Sequence, residues 1–158
     1  MIKELWILIK MLFRSNPSDM VGKDLEVVEF KHFPFKGYKA MSWCGRIIHR
    51  EGSSQVSETT LNHEKIHLMQ AMMCGSWLNY YWRYFVEWIK GNPIINPSSS
   101  AYMTIPFECE AYANETDKGY CKDYDGSNLG KYTFKKRKKL YKQVGGTSAA
   151  WKQYVKTI

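Results

Sequence analysis

The stretch that decides the fold is His63-Glu64-Lys65-Ile66-His67, an H-E-x-x-H pattern within a chain of 158 residues. Residues four apart on a helix lie one turn apart on the same face, so these two imidazoles can reach one metal ion. With 4 His and 10 Glu in the chain, chance gives about 0.006 occurrences of the pattern. The pattern therefore predicts a metal site on a helix, with His63 and His67 as ligands and Glu64 beside them.

The residues before this motif predict a small sheet. An amphipathic helix is expected over residues 1–13, where Leu5, Leu8, Ile9 and Leu12 follow helical spacing. Residues rich in β-type side chains predict one strand over residues 25–30 and another over residues 38–49, with a turn at residues 32–37 between them. Gly52-Ser53-Ser54 then ends the second strand.

The residues after the motif predict helices. The metal helix is expected to begin at about Ser57, and an aromatic helix with seven Trp, Tyr and Phe residues follows over residues 77–90. Gly91-Asn92-Pro93 ends that helix, and residues 96–100 are expected to form a loop. A further helix is expected from Pro106 to about Lys118, because proline is favoured in the first turn.

The two histidines leave the site incomplete, because catalytic zinc usually has three protein ligands. The residues after His67 contain no third histidine at a ligand spacing, and His32 and His49 lie on or near the predicted strands. The helix downstream carries Glu108 and Glu110 in an otherwise apolar segment. A carboxylate from that helix would complete a His₂Glu set of ligands.

These motifs resemble those of the gluzincin group of zinc metallopeptidases, in which a glutamate on a later helix, often within E-x-x-A, is the third ligand. Over residues 38–115 the chain is similar to small bacterial proteins that pair N-H-E-x-I-H-x-x-Q with P-F-E-x-E-A-Y. Two registers fit, Glu108 with Ala111 and Glu110 with Ala113, and they point about 200° apart on a helix. Glu108 is preferred, because the block reads P-F-E-x-E-A and Ala111 leaves room beside it.

The resemblance implies a zinc-dependent hydrolase, a metallopeptidase with a peptide or protein as substrate. Zn²⁺ held by His63, His67 and Glu108 would activate water, with Glu64 as the catalytic general base. Tyr112 stands where many relatives carry an aspartate that braces a ligand histidine, so the bracing group is left open. Tyr102, Tyr112 and His49 are candidates to stabilise the oxyanion.

The fold class expected is α+β: a single zincin-like domain over residues 1–158, with a small sheet, metal-site helices and a basic C-terminal extension over residues 131–158. The predicted strand at residues 38–49 would correspond to the zincin edge strand, which pairs with an extended substrate. The four cysteines are far apart and form no C-x-x-C pair, so free thiols are expected. The sequence carries no signal of the oligomeric state.

Charge and aromatic residues leave alternatives open. The net charge of +8 arises in the last 28 residues, which hold nine bases and no acid. Residues 131–142 are expected to be a solvated helix face whose aromatic side chains pack on the core, with binding of anionic lipid or nucleic acid as the alternative. No recognised nucleic-acid motif occurs, so no specific nucleic-acid partner is expected.

No apolar stretch reaches the length of a membrane span, so a cytoplasmic location is expected. The apolar first helix and the aromatic helix favour peripheral membrane contact as an alternative. The alternative function is accordingly a non-enzymatic metal-binding protein, or a peripheral membrane or anion-binding protein that uses the basic C-terminal segment.

Overall fold

A computed structural model describes residues 1–34, 40–52, 55–92 and 98–158. These ranges contain seven α-helices, two short 3₁₀ helices (Pro17–Met20 and Ser127–Tyr132) and one three-stranded sheet, so the expected mixture of helix and strand is confirmed. No helix in these ranges combines the length and apolar character that crossing a bilayer requires. In chain order the elements are α1 (Ile2–Arg14), β1 (Glu26–Phe30), β2 (Ala40–Trp43), β3 (Arg46–Arg50), α2 (Glu58–Met73), α3 (Trp77–Lys90), α4 (Ser98–Met103), α5 (Pro106–Asn114), α6 (Arg137–Gln143) and α7 (Ser148–Val155).

The sheet has the strand order β1-β3-β2, with β3 in the middle. Strand β1, which the sequence predicts, runs parallel to β3, and β2 runs antiparallel to it with Met41 opposite Ile48. The prediction of one continuous strand over residues 38–49 is wrong, because the chain reverses at Cys44-Gly45. Both residues have positive φ, +49° and +72°, as a two-residue type I′ hairpin turn requires. Residues 35–39, which include the start of the predicted strand, lie outside the described part of the chain.

Helix α2 begins where the sequence predicts. The Ser57 hydroxyl accepts a hydrogen bond from the amide of Thr60 at 3.2 Å, which satisfies one free amide of the first turn. Most residues from Asn62 to Ala71 are buried, since α2 packs against α5 and lies near the 3₁₀ helix that follows α1. The motif histidines therefore lie in the interior of the domain.

Helix α5 is shorter than expected and ends at Asn114 instead of about Lys118. The side-chain amide of Asn62 on α2 donates to the carbonyls of Asn114, Glu115 and Asp117 at 3.4, 2.9 and 3.0 Å. The Asn114 carbonyl also accepts from the amide of Asp117, three residues on, whereas a continuing α-helix would pair it with the amide four residues on. The hydrogen bonds of Asn62 fasten the end of α5 to the turn of α2 that carries His63.

The basic C-terminal segment is part of the core. Helices α6 and α7 flank Gly145-Gly146, and Trp151 on α7 is fully buried. Aromatic and apolar side chains of this segment form a buried cluster with Met103 and with Cys109 of α5. These side chains are Tyr132, Tyr141, Trp151 and Val155. The exposed lysines of residues 131–142 lie on the outer surface of this layer.

Three further expectations concern the loop before α4, the cysteines and helix α1. Residues 98–100, expected in a loop, are the first turn of α4, whereas residues 53–54 and 93–97 lie outside the described residues. All four cysteines are free, as expected. Helix α1 forms as expected, but of its predicted apolar stripe Leu8 is buried while Leu5 and Ile9 are exposed.

We expect Gly45→Ala to destabilise the fold more than Gly22→Ala. Both glycines have φ above +70°, so each alanine pays about 1–2 kcal/mol for the left-handed backbone. A Cβ at Gly45 would also overlap the Met20 sulfur, whereas a Cβ at Gly22 meets no atom within 4 Å. Urea unfolding of both variants measures the difference, and equal losses would contradict the packing of the hairpin turn against Met20.

Candidate metal centre

Three side chains from two helices converge in the interior. The Nε2 atoms of His63 and His67 on α2 lie 3.1 Å apart. The Glu108 carboxylate on α5 reaches both rings, with Oε2 3.4 Å from His63 Nε2 and Oε1 3.3 Å from His67 Nε2. All three residues are buried. The three residues that the motif and the family resemblance predict as metal ligands therefore lie together.

The distances among these atoms suit a bound metal ion. Ligands that bind an ion tetrahedrally with bonds of about 2.0–2.1 Å are about 3.3–3.4 Å from one another. The two Nε2 atoms, 3.1 Å apart, are close to that value, and each lies 3.3–3.4 Å from one of the two oxygens of the Glu108 carboxylate. The buried group of His63, His67 and Glu108 can hold a metal ion.

The orientation of the His67 ring is set by Gln70, one turn further along α2. Gln70 Nε2 donates to the carbonyl of Phe107 at 3.0 Å and to Oε2 of Glu110 at 2.8 Å, which fixes its amide. Its Oε1, 2.8 Å from His67 Nδ1, can then only accept, so Nδ1 carries the proton. The lone pair of His67 Nε2 consequently points towards Glu108 and His63.

His63 is braced in the same way by a residue that the sequence reading missed. Its Nδ1 lies 3.3 Å from Oε2 of Glu115, whose other oxygen lies 3.5 Å from Lys156 Nζ. Glu115 follows Glu108 by seven residues, which is about two helical turns. This spacing alone predicts that the two carboxylates lie on the same side of the helix. Tyr112 has no carboxylate, so the carboxylate beside His63 comes instead from Glu115, the residue after α5. A carboxylate in this position raises the basicity of a histidine that binds metal.

The two glutamates of α5 have different surroundings, which decides the register. Glu108 accepts a hydrogen bond from the Tyr84 hydroxyl at 2.8 Å, and its Oε2 has no hydrogen-bond donor among the described residues. Glu110 points away from the imidazoles and accepts from Gln70, Tyr120 and Tyr124. The preferred register, with Glu108 facing the histidines, is the one that the structure has.

The electrostatics of the group favour a cation at its centre. Burial works to lower the pKa of His63, but the Glu108 and Glu115 carboxylates outweigh it and raise the pKa to about 10. Burial works to raise the pKa of Glu108, and the two imidazoles outweigh it and hold that pKa well below its usual range. Two facing Nε2 lone pairs and a carboxylate therefore attract a proton or a metal ion, and the two compete.

A cleft of about 540 Å³ opens above this group. Glu64 lies on its wall beside His67 and Glu108, half-buried, with an Oε2 that no described donor reaches. One side of the cleft is formed by residues 41–43 of β2, and the rest by aromatic side chains: Trp77, Tyr80, Tyr81, Tyr84, Tyr102 and Tyr112. The carboxylate-bearing side chain of Glu64 thus borders the same cleft as His67 and Glu108.

Of the other tyrosines and histidines considered from the sequence, two line the cleft and two do not. Tyr102 and Tyr112 line the cleft, as a role at an oxyanion would require. His49 is buried on β3 with its Nδ1 3.7 Å from Glu29, and it is not among the residues that line the cleft. His32 is bound to Glu4 at 2.9 Å, far along the chain from the metal group.

No protein-family model matches this chain, and neither the curated proteins nor the solved structures include a significant match.

We expect Glu108→Gln and Glu110→Gln to separate the two glutamates. Both substitutions keep the side-chain shape and remove one buried negative charge. Because Glu108 faces the imidazoles, its substitution should weaken Zn²⁺ binding by more than about 100-fold, while the Glu110 variant, which acts through Gln70, should lose about tenfold. Competition titration against a chromogenic chelator measures both, and the reverse order would contradict the register.

We also expect metal binding to release a proton. The raised pKa of His63, about 10, means that the metal-free site holds a proton at neutral pH, which the metal must displace. Apparent Zn²⁺ affinity should therefore rise about tenfold per pH unit between pH 6 and pH 8. Calorimetry in buffers of different ionisation enthalpy counts the protons released, and a count of zero at pH 7 would contradict the arrangement.

Proposed function

We propose that this chain is a zinc-dependent hydrolase that cleaves peptide bonds, a metallopeptidase of zincin type. The observation that carries the proposal is the position of Glu64, a cleft-lining carboxylate next in sequence to His63 and adjacent to His67 and Glu108. Two imidazoles and one carboxylate are a frequent ligand set of catalytic zinc. Because they supply three ligands, a fourth position is left for water or substrate.

The metal ligands, their bracing groups and Glu64 have separate roles in this proposal. Zinc, when bound, supplies Lewis acidity that makes water a nucleophile near neutral pH and polarises a substrate carbonyl. Glu64 takes the proton from the attacking water and returns it to the leaving amine nitrogen. Tyr84 and the bracing groups Gln70 and Glu115 keep the three ligands in place.

Tyr102 and Tyr112 are suited to stabilise the negative charge that develops on the carbonyl oxygen. Burial raises the pKa of both hydroxyls, and the neighbouring Glu108 carboxylate raises it further. Both groups therefore remain protonated at neutral pH and act as hydrogen-bond donors. Donors held in place before the reaction stabilise an oxyanion more than mobile water does.

Strand β2 supports a peptide as the substrate class. Among the described strands it lies at the edge of the sheet, and residues 41–43 border the cleft. An edge strand offers unpaired backbone groups to which an extended peptide can add as a further strand. A peptide bound along β2 would pass over Glu64 and the metal ligands.

A purely structural metal site is the second function to consider. Structural zinc sites are usually closed by four protein ligands, whereas three side chains meet here among the described residues. Such a site would also have no use for the Glu64 carboxylate on the wall of the adjoining cleft. The geometry therefore favours catalysis.

We expect Glu64→Gln to keep the metal and to lose activity. The amide cannot accept the proton from water, so kcat should fall by about 10²–10⁴. Glu58→Gln, an exposed change on the same helix, is the control and should leave turnover unchanged. The readout is cleavage of a library of fluorescence-quenched peptides by zinc-loaded protein, together with metal content.

Two outcomes would contradict the proposal. Turnover retained in Glu64→Gln would show that another group accepts the proton. Failure of zinc-loaded wild-type protein to cleave any peptide of the library would argue against a peptidase and in favour of a metal site without hydrolytic activity.

A further inference from the structure

Helix α1 exposes a continuous apolar stripe that the fold does not cover. The side chains follow the spacing i, i+3, i+4, i+7 and i+11, so they share one face of the helix. Trp6 and Phe13 are 57% and 69% exposed. On the adjoining face, Leu8, Met11 and Leu12 pack on the domain. The members of the α1 stripe are Ile2, Leu5, Trp6, Ile9 and Phe13.

Helix α3 exposes a second stripe of the same kind. Its members, Leu78, Trp82, Phe85 and Ile89, follow the spacing i, i+4, i+7 and i+11. Trp82 is 65% exposed and Phe85 is 47% exposed, while Trp77 and Tyr80 on the other face are buried in the core. The two stripes together therefore expose nine large apolar side chains to solvent.

Trp43 of β2 contacts both of these helices. The indole N–H of Trp43 donates to the carbonyl of Leu8 on α1 at 2.8 Å. Its ring stacks on Tyr81 of α3 with centroids 4.7 Å apart. One residue of the sheet therefore packs against both helices that carry an exposed stripe.

The charges that accompany the stripes are positive. The exposed charged residues of the two helices are Lys3, Lys10, Arg14, Arg83 and Lys90. The acids of these helices are turned inward and partnered: Glu4 accepts from the amide of Lys31 at 2.8 Å, and Glu87 pairs with Arg137 and Lys90. An approaching surface therefore meets apolar side chains among cations.

We propose that the α1 stripe and the α3 stripe dock on an anionic membrane. Apolar stripes rich in Trp and Phe on helices whose charges are basic are the features that favour binding at the headgroup boundary of acidic lipids. Trp is suited to this depth, since its ring is apolar and its N–H reaches water.

A second copy of the chain fits these two stripes less well. In a symmetric dimer the same patch meets itself, so the lysines and arginines of both copies would face one another. Like charges across an interface oppose association, whereas anionic headgroups attract the same cations. The docking is independent of the proposed catalysis, because it uses none of the metal ligands.

The test is co-sedimentation of the full chain with vesicles of phosphatidylcholine, with and without 30% phosphatidylglycerol. Wild-type protein should bind the anionic vesicles at least about tenfold more tightly than the neutral ones, and the difference should shrink as salt is raised to about 0.5 M. Each of the double variants Trp6→Glu/Phe13→Glu and Trp82→Glu/Phe85→Glu should lose about tenfold or more in binding.

The matched control is Val21→Glu/Val27→Glu, which adds the same charges at exposed apolar positions outside both helices. It should bind as wild type does, and circular dichroism and metal content show that all variants are folded. Three results would overturn the proposal: no preference for anionic vesicles, wild-type binding by either stripe variant, or a wild-type dimer without lipid that the stripe variants abolish.

Discussion

Two imidazole nitrogens and one carboxylate meet in the interior within 3.1 to 3.4 Å of one another, and the rest of the structure is arranged to hold them there. Burying such groups is costly unless a cation compensates their lone pairs and charge. The braces of Gln70 on His67, Glu115 on His63 and Tyr84 on Glu108 direct each ligand atom inward. Asn62, which fastens α2 to the end of α5, keeps the two ligand-bearing helices in register.

The part of this arrangement that sequence could predict is the part that depends on local spacing. His63, Glu64 and His67 follow from one turn of helix, and β1 follows from its β-type residues. The choice of Glu108 over Glu110 needed the family-like block, since both lie on one short helix. Glu115 could have been predicted from its spacing of two helical turns from Glu108. The end of α5 at Asn114 could not, because no residue near it in the sequence indicates that the helix stops there.

The features that sequence did not predict depend on tertiary contacts. Cys44 at positive φ is an unusual first residue of a hairpin turn, so the reversal before β3 was hidden within an apparently continuous strand. The α1 periodicity predicts an amphipathic helix, but which apolar side chains turn inward depends on Trp43 and the sheet. The basic composition of the C-terminal segment does not predict that Trp151 and Val155 are buried against α5.

The most direct test of the central claim is zinc K-edge X-ray absorption on the protein after metal loading and dialysis. The account predicts four light ligands at about 2.0–2.1 Å, with outer-shell scattering from two imidazole rings. A shell of oxygen ligands without imidazole scattering, or loss of zinc on dialysis, would contradict it.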